Sequence, residues 1–198
     1  APITTALLIN ESRARATALS AALGTKFEFE PRARSDVEFV FIVAEPNKAR
    51  LLRPALRFHM RETVPIYATS EVFEPDVRAN VDMDGVIFPD MPWMIAPDEL
   101  STQLRSALNQ HWPSRARDRA RLYAFGIDAH RLVPLVLSQS TDLPTSQTSG
   151  MTGRLAIDST GRVRRDLDWA RIVNGAPQLL EPGRSADAAS VAPPTSRP

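Results

Sequence analysis

Cysteine is absent from the 198 residues, which excludes disulfides, thiolate metal sites and a cysteine nucleophile. It leaves the redox compartment open. Glycine is scarce: eight residues, scattered, with no G-x-G-x-x-G and no G-x-x-x-x-G-K-[ST], so no phosphate-cradling loop can be written. The G-x-S-x-G elbow of a serine hydrolase is also missing. The three histidines, His59, His111 and His130, form no pair at metal-ligand spacing and stand beside no acidic cluster. They read as ordinary helix residues. Lysine supplies two of the 24 basic residues and arginine the other 22, while the net charge of +1 gives no bulk attraction for nucleic acid. No run approaches the roughly 18–20 uninterrupted apolar residues that span a bilayer. The opening APITTALLIN has neither the basic start nor the cleavage pattern of a signal peptide.

What is present is an ordinary globular composition, 43% hydrophobic and 24% charged, in a chain long enough to bury a real core. The chain is organised around residues 36–95. There Val37, Phe39, Val40, Phe41, Ile42, Val43 and Ala44 form an apolar run rich in β-branched and aromatic residues. The run predicts a central strand over Glu38–Ala44, buried on both faces as in a parallel sheet. Pro46 suits a first helical position, and Ala49, Leu52, Leu56 and Met60 recur at helical spacing to about Arg61. Pro54 should kink that helix. Further strands are predicted at Val64–Ala68 and Gly85–Phe88. Strand, helix, strand at this length makes a right-handed crossover. The fold class is therefore α/β: a parallel-sheet lobe with helices on both faces and a C-terminal antiparallel hairpin.

Residues 3–23 read as helix with a break near Asn10, Ser12 capping the second piece and Gly24 ending it. A strand over Thr5–Ile9 is the competing reading. Residues 25–35 read as an extended connection and residues 70–83 as a polar surface loop. A helix from near Pro97 buries Leu100, Leu104 and Leu108. Another runs from Ser114 to about Leu137, where Gly126 and Pro134 could divide it. Residues 138–150 form a polar linker. Leu155 and Ile157 then alternate with Arg154 and Ala156, Asp158–Gly161 makes a turn, and Val163, Leu167 and Trp169 return. Asn174-Gly175 is a strong two-residue hairpin signal. Residues 181–198 read as a disordered tail, leaving 1–180 as the structured unit.

Few residues invite a functional reading. Ser70 stands at the carboxyl end of a predicted strand, the edge where open α/β sheets gather ligands. Phe73, one aromatic in a polar loop, reads as an exposed recognition anchor. Trp93, with Met91, Pro92 and Met94, is a core plug or else the lip of a cleft; Asp90 beside it reads as a turn residue. Arg115, Arg117, Arg119 and Arg121 alternate, as on a solvated face that could also meet an anionic partner. Asp82-Met83-Asp84-Gly85 lacks the third acid and the terminal Glu of a calcium loop, so it reads as a turn. Nothing here asks for a metal or a cofactor.

The phrases ARLLRPALRFH, VPIYATSEVF, DMDGVIFPDMPWMI, RLYAFGIDAHRLVP and TGRLAIDSTGRVRRDLDWARIVNGAPQLL together resemble the LppC/LpoA family. These are outer-membrane lipoproteins that activate a bifunctional penicillin-binding protein. The resemblance runs from Ser12 to Leu180. It implies the fold of type I periplasmic solute-binding proteins, two α/β lobes around a cleft. This chain would supply a C-terminal portion, with the signal, the lipid-bearing cysteine and N-terminal domains upstream. YAFGIDAHRLVP resembles the YDA-type helix beside the cleft; Asp128 and Ala129 match that pattern and Tyr123 is displaced from it.

The implied function is a non-catalytic periplasmic regulator, at the periplasmic face of the outer membrane. It would dock on a class A, bifunctional penicillin-binding protein and raise its activity in cell-wall synthesis. Nucleic acid is not an expected partner, and membrane attachment would come only through a lipid anchor absent from this chain. The competing reading is a solute receptor taking an amino acid or peptide in the cleft. An enzyme is disfavoured, because no pair of groups has the spacing for acid–base or nucleophilic work. Residues expected at the cleft or partner surface are Ser70, Phe73, Asp90, Trp93, Arg117, Arg121, Tyr123 and Asp128. A receptor should show converging, unfilled donors; a regulator's cleft can be filled by its own side chains. A lobe cut short would also leave a strand edge and apolar helix faces uncovered.

Overall fold

The computed structural model describes residues 2–60, 64–137 and 147–181. Two helices come first, α1 (Pro2–Ala6) and α2 (Ile9–Leu23). They break at Leu7–Leu8, earlier than Asn10, with Leu8 in the left-handed region at φ 56°. Gly24 ends α2 at φ 63°, where a side chain would be strained. Ser12 is not a cap. It is buried inside α2, where its Oγ accepts the Arg32 N–H at 3.4 Å, and Arg34 N–H bonds the Leu7 carbonyl at 3.0 Å. Those bonds hold the extended connection back against the helix.

Strand β1 (Val40–Ile42) leads through helix α3 (Pro46–His59) to β2 (Ile66–Ala68). Pro46 sits at the start of α3 as expected, and Pro54 is accommodated inside it. Two short 3₁₀ turns, Ser70–Val72 and Val77–Met83, occupy what reads in sequence as a plain surface loop. Val72, Phe73, Asn80 and Met83 are buried there. Strand β3 (Ile87–Asp90) follows, then α4 (Pro92–Ile95), α5 (Glu99–His111), α6 (Pro113–Asp118) and α7 (Ala120–Leu137). The long C-terminal helix divides at Arg119, and neither Gly126 nor Pro134 interrupts α7.

The last segment holds β4 (Thr148–Gly150), β5 (Gly153–Ile157), β6 (Val163–Asp166), β7 (Asp168–Val173) and β8 (Ala176–Leu179). The predicted linker therefore ends earlier than residue 150; its 138–146 portion, like residues 182–198 of the predicted tail, lies outside the described residues. Asn174 (φ 52°) and Gly175 (φ 78°) turn β7 into β8, as that dipeptide predicts.

Two sheets result. A five-stranded sheet has the order β1-β2-β3-β7-β8, parallel across its first three strands and antiparallel thereafter. A three-stranded antiparallel sheet holds β4, β5 and β6. Val163 and Trp169, read as one return strand, thus serve different sheets. The core lies between α3 and the large sheet, where Ala49 and Leu56 meet Ile42, Ala68, Phe88 and Ile172.

The apolar run at residues 37–44 occupies a different place from the one predicted. Among the described residues strand β1 is the edge of its sheet, and only one of its faces is covered. Ile42 is buried under α3, whereas Phe39, Phe41 (55% exposed) and Val43 stand on the opposite, open face. Three rings cross that face edge to face: Phe39 to Tyr67 and Tyr67 to Trp169, each with centroids 6.2 Å apart. Continuous hydrophobicity records that both faces are apolar; it does not record whether anything covers them.

Candidate functional site

The carboxyl ends of β2 and β3 lie together because the strands are parallel neighbours. Ser70 and Asp90 follow from that topology to the same end of the sheet. Into this end reaches Arg121, one residue inside α7. Its Nη2 donates to Asp90 Oδ2 at 2.6 Å, to the Ser70 carbonyl at 2.9 Å and to the Phe73 carbonyl at 3.4 Å, and its Nε donates to Asp90 Oδ1 at 3.3 Å. Asp90 Oδ1 also accepts the Met91 N–H at 2.8 Å, which is the local turn bond expected from sequence. The Asp90 side chain is 2% exposed. A carboxylate so deeply desolvated requires a partner, and the two-pronged guanidinium contact with extra backbone bonds supplies one.

Beside this pair opens a groove of about 860 Å³ lined by Pro46, Glu71, Glu74, Asp76, Arg117 and Arg119. Its charges are mixed and partly internal: Glu74 is ion-paired to Arg50. Asn80 knits the wall. Its amide nitrogen donates to the carbonyls of Glu74 (2.6 Å), Asp76 (2.9 Å) and Gly175 (3.3 Å), and its oxygen accepts the Glu74 N–H at 3.3 Å. A buried asparagine in a polar loop leaves no sequence signal for this role.

Two turns further along α7, Asp128 is buried and fully engaged. Oδ1 accepts the Met151 N–H at 2.8 Å, and Oδ2 accepts the Thr152 N–H and hydroxyl, both at 2.7 Å. A Cβ on Gly150 would stand 2.7 Å from Asp128 Oδ2, so the approach needs a glycine. The same turn is bonded on its other side, where Trp93 N–H meets the Met151 carbonyl at 3.1 Å and the Ser101 hydroxyl meets Met151 Sδ at 3.0 Å. Helix α7 is therefore clasped to the large sheet by Arg121 and to the small one by Asp128. Past this clasp, Phe125, Ala129, Leu132, Val133, Leu155 and Val163 line an apolar groove of about 720 Å³.

The predicted site residues divide accordingly. Ser70, Asp90 and Arg121 are brought together. Asp128 is a clasp, its carboxylate oxygens already occupied. Arg117 lines the mixed groove and is exposed. Tyr123 is half-buried on α7 and has no part in either cluster. Phe73 is not an exposed anchor: it is 3% exposed and stacks on Phe88 at 5.0 Å, because the 3₁₀ turn before it folds the chain onto the sheet. Trp93 is likewise core, 1% exposed between α4 and its neighbours, so it forms no cleft lip. Among the described residues no group of three or more His, Asp or Glu side chains could hold a metal ion. No helix among them is long and apolar enough to cross a membrane.

Known proteins are similar to this chain in sequence and in fold. The chain is 33% identical over 165 residues to a penicillin-binding protein activator LpoA from Photobacterium profundum, covering 82% of this chain and 26% of that protein. It is 31% identical over 168 residues to the activator LpoA of Vibrio antiquarius, with 82% and 26% covered. The chain thus spans about a quarter of the length of these curated relatives, 26% in each case. Its fold is similar to that of the LpoA (YraM) C-domain from Haemophilus influenzae, a regulator of PBP1A, with a TM-score of 0.57 and 22% identity, covering 85% of this chain and 56% of that one. A "putative branched-chain amino acid ABC transporter" structure from Rhodospirillum rubrum matches at a TM-score of 0.52 and 17% identity, covering 72% and 44%. The architecture is accordingly α/β and periplasmic-binding-protein-like. With residues 2–175 matching the family described as "LppC putative lipoprotein", the chain belongs to that family.

Proposed function

We propose that this chain is the part of a periplasmic lipoprotein that binds a class A, bifunctional penicillin-binding protein and raises its activity in peptidoglycan synthesis, without chemistry of its own. In the whole protein a lipid anchor would hold it at the periplasmic face of the outer membrane. Two relatives that each match 82% of this chain are named penicillin-binding protein activators, which supports the partner. The observation that carries the non-receptor side is Arg121. Its guanidinium, in the chain itself, fills the strand-end position and consumes the Asp90 carboxylate and the Ser70 carbonyl. A solute receptor would leave such groups converging on empty space for a ligand.

The two clasps on α7 suit a regulator in another way. They fix the large and small sheets against a common helix, so a docking surface carried on this framework is ordered before contact and loses less entropy on binding. The test is a glycan-polymerisation and cross-linking assay with a purified bifunctional synthase, with and without the chain, alongside direct titration. Rate enhancement with saturable binding is expected. Absence of both, together with saturable heat on titrating branched-chain amino acids, would replace this reading by the receptor one.

A further inference from the structure

Helix α3 has a second apolar side that the core does not use. Ala49, Leu52 and Leu56 turn inward to the sheet. Leu51, Pro54 and Phe58 turn the opposite way at i, i+3, i+7, and Leu51 is 77% and Phe58 84% exposed. Single exposed apolar residues are ordinary. A column of them in helical register is the pattern by which a helix seats in a groove of another protein.

Charge supplies the second observation. Between Pro46 and His59 the helix carries Lys48, Arg50, Arg53 and Arg57 and no aspartate or glutamate. Helical spacing sets Arg57 along one border of the column, together with Arg50, whose charge is already paired with Glu74, and Lys48 toward the other. The Lys48 contact with Glu45, at 3.4 Å with both side chains mostly exposed, is a weak surface pair that leaves the lysine available. An apolar column with cations on both borders is complementary to an apolar groove with an acidic rim. A lipid surface fits less well, because half of α3 is already committed to the core and the column is too short to submerge.

We propose that α3 is the docking element of this chain: Leu51, Pro54 and Phe58 seat in an apolar groove on the partner protein, and Lys48 meets acidic groups on its rim. The proposal rests on the reading that the partner is a penicillin-binding protein. The experiment titrates the full chain and its variants Phe58→Ala, Leu51→Ala, Lys48→Glu and Phe41→Ala against a purified bifunctional synthase at two salt concentrations. Phe58→Ala should weaken binding about tenfold and Leu51→Ala somewhat less, as buried interface anchors do. Lys48→Glu should weaken it further at low salt than at high salt. Melting temperatures should stay put, since these side chains touch little in the free chain. Phe41→Ala, on the open sheet face, should bind like the parent. Parent-like binding by Phe58→Ala, or loss confined to Phe41→Ala, would overturn the assignment to α3 while leaving the regulator reading intact. Failure of the parent chain to bind any synthase would remove the regulator reading itself. Binding to phosphatidylglycerol vesicles that depends on Phe58, without synthase binding, would overturn the protein partner in favour of a membrane.

Discussion

Arg121 and Asp90 are 31 positions apart and meet through two contacts, Nη2 to Oδ2 at 2.6 Å and Nε to Oδ1 at 3.3 Å. The aspartate is buried and the arginine about one-third exposed, so removing either partner has unequal consequences. Arg121→Met strands a desolvated carboxylate and should cost about 3 kcal/mol, the lower part of the range for a broken buried pair. Asp90→Leu with Arg121→Met, which removes both charges, should restore much of that loss. Urea denaturation of the singles and the double closes the cycle. Additive losses would mean that the two residues do not act as a pair.

Asp128 gives a sharper chemical test, because its two oxygens accept three hydrogen bonds and donate none. Asparagine keeps the shape but places an NH₂ against one set of donors. Asp128→Asn should therefore destabilise by about 2 kcal/mol, the cost of a buried donor left without an acceptor. Thr152→Val should cost less, since the Thr152 and Met151 N–H groups keep the carboxylate. Equal losses from the two would contradict this ordering; denaturation midpoints decide it.

The β7–β8 turn leans on the second 3₁₀ turn, with Asn174 N–H donating to Asp84 Oδ1 at 2.6 Å. Gly175 there has φ 78°, and a Cβ would fall 2.2 Å from the Val77 carbonyl oxygen. Gly175→Ala meets both backbone strain and a backbone collision that no side-chain rotation relieves. A loss of more than about 1 kcal/mol is expected. Gly161→Ala, at φ 78° with no atom within 4 Å of the added carbon, should lose less. The difference between these two midpoints isolates the collision from the strain.

At the Asp158 turn, the Thr160 hydroxyl (2.6 Å), the Arg162 N–H (3.1 Å) and the Thr160 N–H (2.9 Å) all donate to Oδ1 and hold the carboxyl below its ordinary value. A lowered folded-state pKa makes the charged form stabilising. The contribution is complete above the unfolded value of about 3.9 and disappears as pH falls through the folded one. Thr160→Ala should move the Asp158 titration up toward the ordinary aspartate value, read by carboxyl carbon shifts. An unmoved titration would assign the shift to the backbone donors and the nearby Arg164 charge.

Much of this local structure was legible. Pro46 at a helix start, Gly24 at a helix end, Asn174-Gly175 and the Asp158 turn each carry their instruction within a few residues. The site was half legible. Ser70 and Asp90 could be placed at strand ends, but the selection of Arg121 from four alternating arginines depends on where α7 is fixed. Phe73 failed for the same reason. A polar neighbourhood in sequence says nothing of Phe88, 15 positions later, on which its ring stacks. Burial of β1 on both faces failed because strand order is a long-range property, and four of the five strands lie elsewhere in the chain.

That failure yields a last expectation, about which part of the sheet is most firmly held. Among the described residues strand β1 pairs on one side only, with β2, and Phe39, Phe41 and Val43 leave one face there to solvent. Strand β3 pairs on both sides, with β2 and β7, and its Phe88 is completely buried. Bonds from Gly85 N–H to the Ile172 carbonyl (2.8 Å) and from Ile172 N–H to the Val86 carbonyl (2.9 Å) extend that pairing past the strand's start. Opening β1 exposes little new apolar surface, whereas opening β3 or β7 exposes the core between the sheet and α3. Local opening free energies follow that difference. Amide exchange should therefore be slowest at Phe88, Ala170 and Ile172, and the amides of β1 should exchange well before them. Covering the open face should slow β1 selectively, and a bound partner that protects α3 instead would leave the β1 rates unchanged. Should the β1 amides prove as slow as those of β3 in the free chain, the open face is closed in solution. Sedimentation would then tell whether a second copy closes it.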